Sequence, residues 1–336
     1  MAHITMIGID LAKQVFQIHA VDAHGNACVR KQLRRKQLLP WLAQQPPCIV
    51  AMEACRGAHH WARRLIVMGH EVRLVPPQHV KAFVRGQKND RNDAAAICEA
   101  AKRPEMRTVA VKSIEQQQIM GLHRLRQLLV KQRTGTINQI RGLLSEFGIV
   151  LPQGRYRFIA QLPEILADAE NDLPPLLRAA FAQQQQQWLR ELEARVEHIT
   201  GELVAIARGS FVCRKLEALP GVGPLISTAF VAEIGDPGAF RNGRQVAAWL
   251  GLVPRQHSSG GKERLFGISK RGDPYMRCLL VHGARAMLRV AARRDDALSR
   301  WAISVETRRG RNRAAVAMAN KNARRLWATW RYAEIA

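Results

Sequence analysis

"HITMIGID" (residues 3–10) is a short apolar run that ends on a carboxylate, and "CIVAME" (residues 48–53) repeats that arrangement further along the chain. Both have the length and the β-branched, apolar content of a buried strand, and their terminal acids are Asp10 and Glu53. Between them, "VFQIHAVDAHGNACVRKQL" (15–33) alternates on either side of Ala23–Asn26 and predicts a hairpin, followed by a helix ending near Trp41. After Glu53 come a helix, "AHHWARRLIVMGH", closed by Gly69, a strand, "EVRLVP", and a helix running into the 85–91 loop. The order is three strands, helix, strand, helix, strand, helix. It predicts a mixed sheet with helices on its faces.

The next stretch, "KNDRNDAAAICEA" (88–100), sets Asp90 and Asp93 one turn apart where the chain enters an alanine-rich helix. Taken singly, each acid reads as a structural residue: a strand-end Asp is often a turn residue, and Asp90 can cap a helix. Taken together they do not. In a mixed sheet Asp10 and Glu53 lie side by side, and the following helix packs across the same end. Four converging carboxylates without cations repel one another strongly. Around two Mg²⁺ ions, or Mn²⁺ in their place, they become oxygen ligands for hard cations. Two metals about 3.5–4 Å apart activate an attacking oxygen and stabilise a leaving one in phosphoryl transfer.

The composition points to the substrate. Lysine and arginine number 52 against 27 acids, a net charge of +25 in 336 residues, and from Arg241 onward 21 bases face 6 acids. Such a surface suits a polyanion, because neutralised phosphates release condensed counterions. Hydrophobic residues at 47% support a buried core. No stretch approaches the ~18 apolar residues of a membrane span, and "MAHITMIGID" lacks a signal-peptide layout, so a soluble, cytoplasmic protein without membrane contact is expected. The six cysteines are scattered without metal-ligand spacing and read as reduced core thiols.

In the middle of the chain, Ser113 and Gln116 suggest a capping box opening a long helix. Ile119, Leu122, Leu125 and Leu129, then Ile137, Ile140, Leu144 and Phe147, recur at three and four, with Pro152 expected to stop them. Past a Pro-punctuated connection and the Gln183–Gln187 run, read as a solvated stretch, Leu189, Leu192, Val196, Ile199, Leu203 and Ile206 keep heptad spacing. Two apolar seams suggest either a coiled-coil arm or an intramolecular helical hairpin. From about Phe211, Pro220-Gly221-Val222-Gly223 looks like a helix-hairpin-helix turn whose Gly221 and Gly223 bring backbone amides to a phosphate. A helix, a Ser/Gly-rich basic loop ("RQHSSGGKERLFGISKRG") and an arginine-dense helix follow. Trp249, Phe266 and Tyr275 are aromatics able to stack on bases, with core packing the expected job of Trp249.

The strand order and the acids resemble a ribonuclease-H-like fold of the RuvC type. Leu11-Ala12-Lys13 after Asp10 sets the chain apart from the sugar-kinase branch, which carries Asp-Gly-Thr there. The ordered set "GIDLAK", "MEACRGAHHWAR", "KNDRNDAAA", "LPGVGPLIS", "QVAAWLGLVPRQHSSGG" and "ISKRGDPYMR" resembles transposases of the insertion sequence 110 family, most closely its 1111 subgroup. The resemblance covers nearly the whole chain. It implies an α/β RuvC-like domain over 1–110, a helical coiled-coil region over 111–208, and a mainly α transposase domain over 209–336. It implies that Asp10, Glu53, Asp90 and Asp93 are the D-E-D-D set. The serine that bonds to DNA would then be Ser259, before Gly260, with Ser258 one residue away as the lesser candidate. Ser269 would instead help position phosphate. Arg255, Lys262, Arg264, Lys270, Arg271 and Arg277 would grip phosphates. The implied partners are donor and target double-stranded DNA, a noncoding bridge RNA from the element's flank, and further copies of the chain, a dimer of dimers. Action would take place at the bacterial nucleoid. Many family members carry Thr-Gly after the glutamate, where this chain has Ala54-Cys55-Arg56-Gly57.

Two rival functions make different demands. A RuvC-type nuclease using water would not need Ser259, and a non-catalytic nucleic-acid-binding protein would need neither Ser259 nor the acids.

Overall fold

The computed structural model describes residues 3–84 and 90–333, with the side chains of Asp90, Gln185 and Gln186 outside the description. The chain divides into two compact units, Met1–Ile114 with Ile234–Ala239, and Glu115–Glu233 with Phe240–Ala336.

The first unit is the expected mixed sheet. Its elements are β1 (Met6–Leu11), β2 (Val15–Val21), β3 (Ala27–Arg34), α1 (Leu38–Leu42), β4 (Ile49–Glu53), α2 (Ala58–Val67), β5 (Glu71–Val75), α3 (Pro77–Val80) and α4 (Asp90–Lys102). The spatial order is β3-β2-β1-β4-β5. The first three strands are antiparallel, while β4 runs parallel to β1 and β5 parallel to β4. Strand alternation divides the buried residues between two faces. Ile7, Ile9, Phe16, Ile18 and Val50 pack with Leu38, Leu42, Trp61 and Leu65 of α1 and α2. Met6, Ala51 and Val75 pack with Ile97, Ala100 and Ala101 of α4 on the other. Over residues 3–84 and 90–102 the reading therefore holds in element type and order, and the loop expected at 85–91 lies outside the described residues over 85–89.

The second unit is helical apart from one hairpin. It contains α5 (Ile114–Ser145), α6 (Arg155–Ala167), α7 (Pro175–Gln183), a π-helical turn over Gln184–Leu189, α8 (Arg190–Gly209), α9 (Phe211–Glu217), α10 (Pro224–Ile234) and α11 (Gly243–Trp249). The strands β6 (Pro254–Gln256) and β7 (Leu265–Ile268) then lead to α12 (Pro274–Ala291), α13 (Ala297–Arg309) and α14 (Arg311–Arg331). Among the described residues no helix is long and apolar enough to cross a membrane.

Here several expectations are corrected. The long helix ends at Ser145 and the chain turns at Gly148, with φ of +72°, before Pro152 is reached. The supposed connection holds two helices. Pro163 lies inside α6, where buried Phe158 and Leu162 outweigh its missing amide, and Pro175 takes the first turn of α7, where that amide has no role. The glutamine run forms the π-helical junction between α7 and α8. Of the two readings of the seams, the intrachain contacts match the helical hairpin. Arg126 Nε donates to Thr200 Oγ1 at 2.8 Å and Arg133 approaches Glu193 at 3.8 Å, so α5 and α8 run antiparallel. Leu189, Leu192, Val196 and Leu203 are buried, whereas Leu125 of α5 is 54% exposed. The basic loop is a hairpin, β6 pairing antiparallel with β7. The basic tail is also core: Ala314, Ala315, Met318, Ala319, Ala323 and Leu326 line the buried face of α14, while Arg311, Arg313, Arg324 and Arg331 are exposed.

Candidate active site

Residue pairing in the sheet places the acids. Met6, Gly8 and Asp10 lie on the α4 face of β1, and their parallel partners on β4 are Ile49 and Ala51, so the next step of the register sets Asp10 beside Glu53. Both carboxylates sit half-buried at the same sheet end. The Cys55 thiol reports their proximity. Its pKa is pushed up first by burial and then by the charges of Glu53 and Asp10.

The approach of α4 depends on Gly8. A Cβ added there would lie 2.4 Å from the Ala94 carbonyl oxygen and 2.9 Å from Cys98 Cβ, so only glycine admits the helix this close. That contact seats the first turns of α4, and half-buried Asp93 with them, on the face that carries Asp10 and Glu53. The backbone of Asp90 opens the same helix, but its side chain lies outside the described residues.

Carboxylate oxygens are the donors a hard divalent cation takes. The neighbouring Cys55 sulfur is a soft donor and suits such a cation poorly. Among the described residues no group of three or more His, Cys, Asp or Glu side chains gathers at one point. The register therefore sets Asp10 beside Glu53, and the helix that carries Asp93 packs on the same sheet face, without a three-acid cluster among the described residues; the side chain of Asp90 lies outside them.

The same sheet face continues into a groove that the sequence reading missed. Cross-strand pairs Asp10–Gln17, Gln17–Gln32 and His19–Arg30 run from the acid outward to β3. They lead into a cavity of about 350 Å³ lined by Gln17, His19, Arg30, Gln32 and Arg91. The His19 pKa is lowered by burial, then by the positive charges of Arg30 and Lys102. The available signal was Arg30 and Gln32, which lie at alternate positions of β3 and so share one face.

In the second unit, Ser259 occupies the tip of the β6–β7 hairpin. Gly260 and Gly261 both have positive φ, +57° and +75°, and Lys262 N donates to Ser259 O at 3.1 Å, closing a two-residue turn. The two candidate serines differ in their surroundings. Ser258 Oγ accepts from Gln256 Nε2 at 2.8 Å and from Arg264 N at 3.4 Å, so it ties the hairpin together. Ser259 stands exposed beside the turn. Arg255, Lys262, Arg264, Lys270 and Arg271 are exposed on the same hairpin and the segment that leaves it.

The hairpin is gripped at its root. A Cβ on Gly251 would meet Arg271 O at 2.2 Å, and one on Gly272 would meet Trp249 O at 2.1 Å, so the two segments cross at backbone contact. Arg277 Nη1 donates to the carbonyls of Leu250 at 3.0 Å and Gly272 at 3.2 Å, bracing this crossing.

Other candidates also have packing roles. Gly221, with φ of +80°, has its α-carbon against α12, where a Cβ would lie 2.6 Å from Gly283 O, while Gly223 has open space in front of it. Tyr275 is tied into the interior: its hydroxyl lies 2.9 Å from His123 Nδ1, and His123 Nε2 lies 3.0 Å from Thr228 Oγ1. Trp249 packs edge-on against Phe240. Phe266 is 51% exposed.

Comparison with known proteins gives these positions a context. A sequence model for the transposases of the IS116/IS110/IS902 family matches residues 213–299, and a DEDD transposase model of the IS110 type matches residues 7–149. A protein of Pseudomonas aeruginosa named "Probable family 20 transposase" is 50% identical over 97% of this chain and 96% of its own length. The transposase for insertion sequence element IS1111A of Coxiella burnetii is 44% identical over 98% of this chain and 90% of its own. The transposase for insertion sequence element IS1328 of Yersinia enterocolitica is 41% identical over 97% of each.

Proposed function

Because this chain belongs to the IS116/IS110/IS902 family of insertion-sequence transposases, we propose that it cuts and rejoins DNA through a covalent bond between Ser259 and a DNA phosphate. The observation that carries the acidic half of this reading is the parallel β1–β4 register, whose next step sets Asp10 beside Glu53 on the sheet face that receives α4. The order of the five strands and their acids supports a ribonuclease-H-like, RuvC-type assignment for 1–110. The region 111–208 is then the helical spacer, and 209–336 is the transposase domain that carries the serine.

Asp10, Glu53, Asp90 and Asp93 would hold the divalent ion, Mg²⁺ or Mn²⁺. When bound, it activates the attacking oxygen and offsets charge on the leaving one. The protein supplies the rest. Ser259 Oγ forms a bond to the scissile phosphorus as its proton departs. The phosphorus–oxygen bond to the leaving DNA end breaks, and that oxygen takes up a proton. Attack by the hydroxyl of the new DNA end reverses these steps and frees the serine. Arg255, Lys262, Arg264, Lys270 and Arg271 offset the charge that develops on the phosphoryl oxygens. Gly223, at the start of α10, admits a phosphate to the backbone, while Gly221 and Arg277 shape the surfaces around it. The excess of bases after Arg241 supports grip on DNA. The bridge RNA and the dimer of dimers rest on the family resemblance.

Covalent trapping tests the reading. The protein is co-expressed with its flanking noncoding DNA, purified with any bound RNA, and given Mg²⁺ and nicked donor and target DNA. A protein–DNA adduct mapped to Ser259 by peptide mass spectrometry, and lost in both Ser259→Ala and Asp10→Ala, is the expected result. Cleavage without an adduct, undiminished in Ser259→Ala, would instead establish a RuvC-type hydrolase that uses water.

A further inference from the structure

A cavity of about 770 Å³ in the second unit lies between the β6–β7 hairpin and helices α13 and α14. Its walls are aromatic and aliphatic (Phe266, Trp301, Leu252, Val316), and its rim carries Arg313, Lys321 and Arg324. Lys321 Nζ stands 3.8 Å from the centroid of the Trp301 ring, so a cation is held at the wall by the indole itself. A second cavity of about 450 Å³ shares Lys321 and Arg324 with the first and adds Asn242, Arg244 and Arg325. Among the described residues no carboxylate lines either one. Arg325 Nη1 is moreover buried without a hydrogen-bond partner, an unmet donor beside the second cavity.

This is an apolar slot with aromatic walls, opening directly onto a compartment of positive charge. Both volumes fall within the ~300–1,000 Å³ of small-molecule sites. An aliphatic or lipid ligand would fill the slot but leave the cations facing nothing, and a bare anion would leave the slot empty. A nucleotide unit satisfies both, with a flat base for the ring of Phe266 and a phosphate for Lys321, Arg324 and Arg244. A base inside a duplex is stacked on both faces and cannot enter, so the occupant must be unpaired.

We infer that this double cavity takes one unpaired base of a DNA strand, the base against Phe266 and Trp301 and its phosphate against Lys321, Arg324 and Arg244. The inference rests on the DNA-processing reading above and locates within it a site for single-stranded DNA, of the kind strand exchange exposes. The site belongs to the hairpin that carries Ser259, since Phe266 is part of β7. An occupied pocket therefore fixes the position of one strand relative to that hairpin.

The test is a fluorescence-anisotropy titration of the full chain with three labelled probes at one salt concentration: dT12, a 12-base-pair duplex and rU12. Phe266 is half exposed, so Phe266→Ala leaves the fold intact, as a thermal melt will verify. The expected result is a loss of about tenfold or more in dT12 affinity for Phe266→Ala, the scale of one base–aromatic stack, with duplex affinity within twofold of the unaltered chain. Lys321→Ala is expected to weaken dT12 binding to a similar degree and to flatten its salt dependence. Unchanged dT12 affinity in both variants, or equal losses on dT12 and the duplex, would overturn the pocket while leaving the transposase reading in place. A loss confined to rU12 would overturn its assignment to DNA. Binding of none of the probes by the unaltered chain would count against DNA grip by this region, and against the pocket with it.

Discussion

Replacing Gly8 with alanine tests whether the acidic site depends on how closely α4 approaches β1. The new Cβ would sit 2.4 Å from the Ala94 carbonyl oxygen, about 1 Å short of ordinary contact, and that atom belongs to helix backbone and cannot rotate away. The helix must shift or the strand must bend. Overpacking of this kind costs about 1–3 kcal/mol, which corresponds to a fall of about 3–10 °C in Tm for a domain of this size. Because Asp93 lies one residue before Ala94 and Asp10 two after Gly8, the displacement falls between the acids themselves. Misplacement of reacting groups by ~1 Å can cost about 10²-fold in rate. Strand cleavage by Gly8→Ala should therefore fall further than its melting temperature alone would suggest at an assay temperature well below Tm. Gly121 on α5 is the matched control: nothing lies within 4 Å of its added Cβ. Alanine there should raise helix stability by up to about 1 kcal/mol and spare cleavage. Wild-type Tm and wild-type cleavage in Gly8→Ala would refute the reasoning.

Asp10→Asn should abolish cleavage while keeping the fold, and Mn²⁺ should raise the Tm of the unaltered chain but not of this variant, as read by differential scanning fluorimetry. Ser259→Ala should leave Tm unchanged and remove the covalent adduct, whereas Ser258→Ala, which removes a hydroxyl that ties the hairpin, should retain the adduct at a reduced yield in the trapping assay. The third concerns pH: burial, then Arg126 and Arg124, lower the pKa of His123 from 6.5 to about 4. As pH falls from 6.5 to 4 the unfolded chain takes up a proton that the folded chain refuses, so stability is lost across that window. Urea melts at pH 7 and pH 5 should differ less in His123→Gln, with the residual slope partly due to His59, whose pKa burial also brings to about 4.

The sheet was legible because its signals are local. The runs ending on Asp10 and Glu53 carry their own alternation, and the parallel register that joins them follows from strand order. The helical region was harder to read because its deciding contacts are distant in sequence. Pro163 argued for a break, and the packing of Phe158 and Leu162 that overrides it does not show in their spacing. The Ser259 hairpin escaped notice for the opposite reason. Its strands are short and exposed, so the apolar alternation that marks a strand is missing, although Gly260-Gly261 between two short runs was the one clue available. In α14 the arginines drew attention to the surface, while the alanines between them build the core. Of the candidate site, the two strand ends that carry Asp10 and Glu53 were readable in advance. The separate surroundings of Ser258 and Ser259, and the groove running from Asp10 to Arg30, required coordinates.

The crossing of Gly251 and Gly272 has a mechanical side. Both strands beyond it are exposed along nearly their whole length, so the hairpin behaves as a cantilever, anchored at one end and unsupported at the other. A beam of this kind magnifies small rotations at its anchor into larger sweeps at its tip, which here is Ser259. The direction of the proposed nucleophile would thus be set at two backbone contacts at the root of the hairpin. A single methyl group added at either glycine would re-aim it from the root of the hairpin.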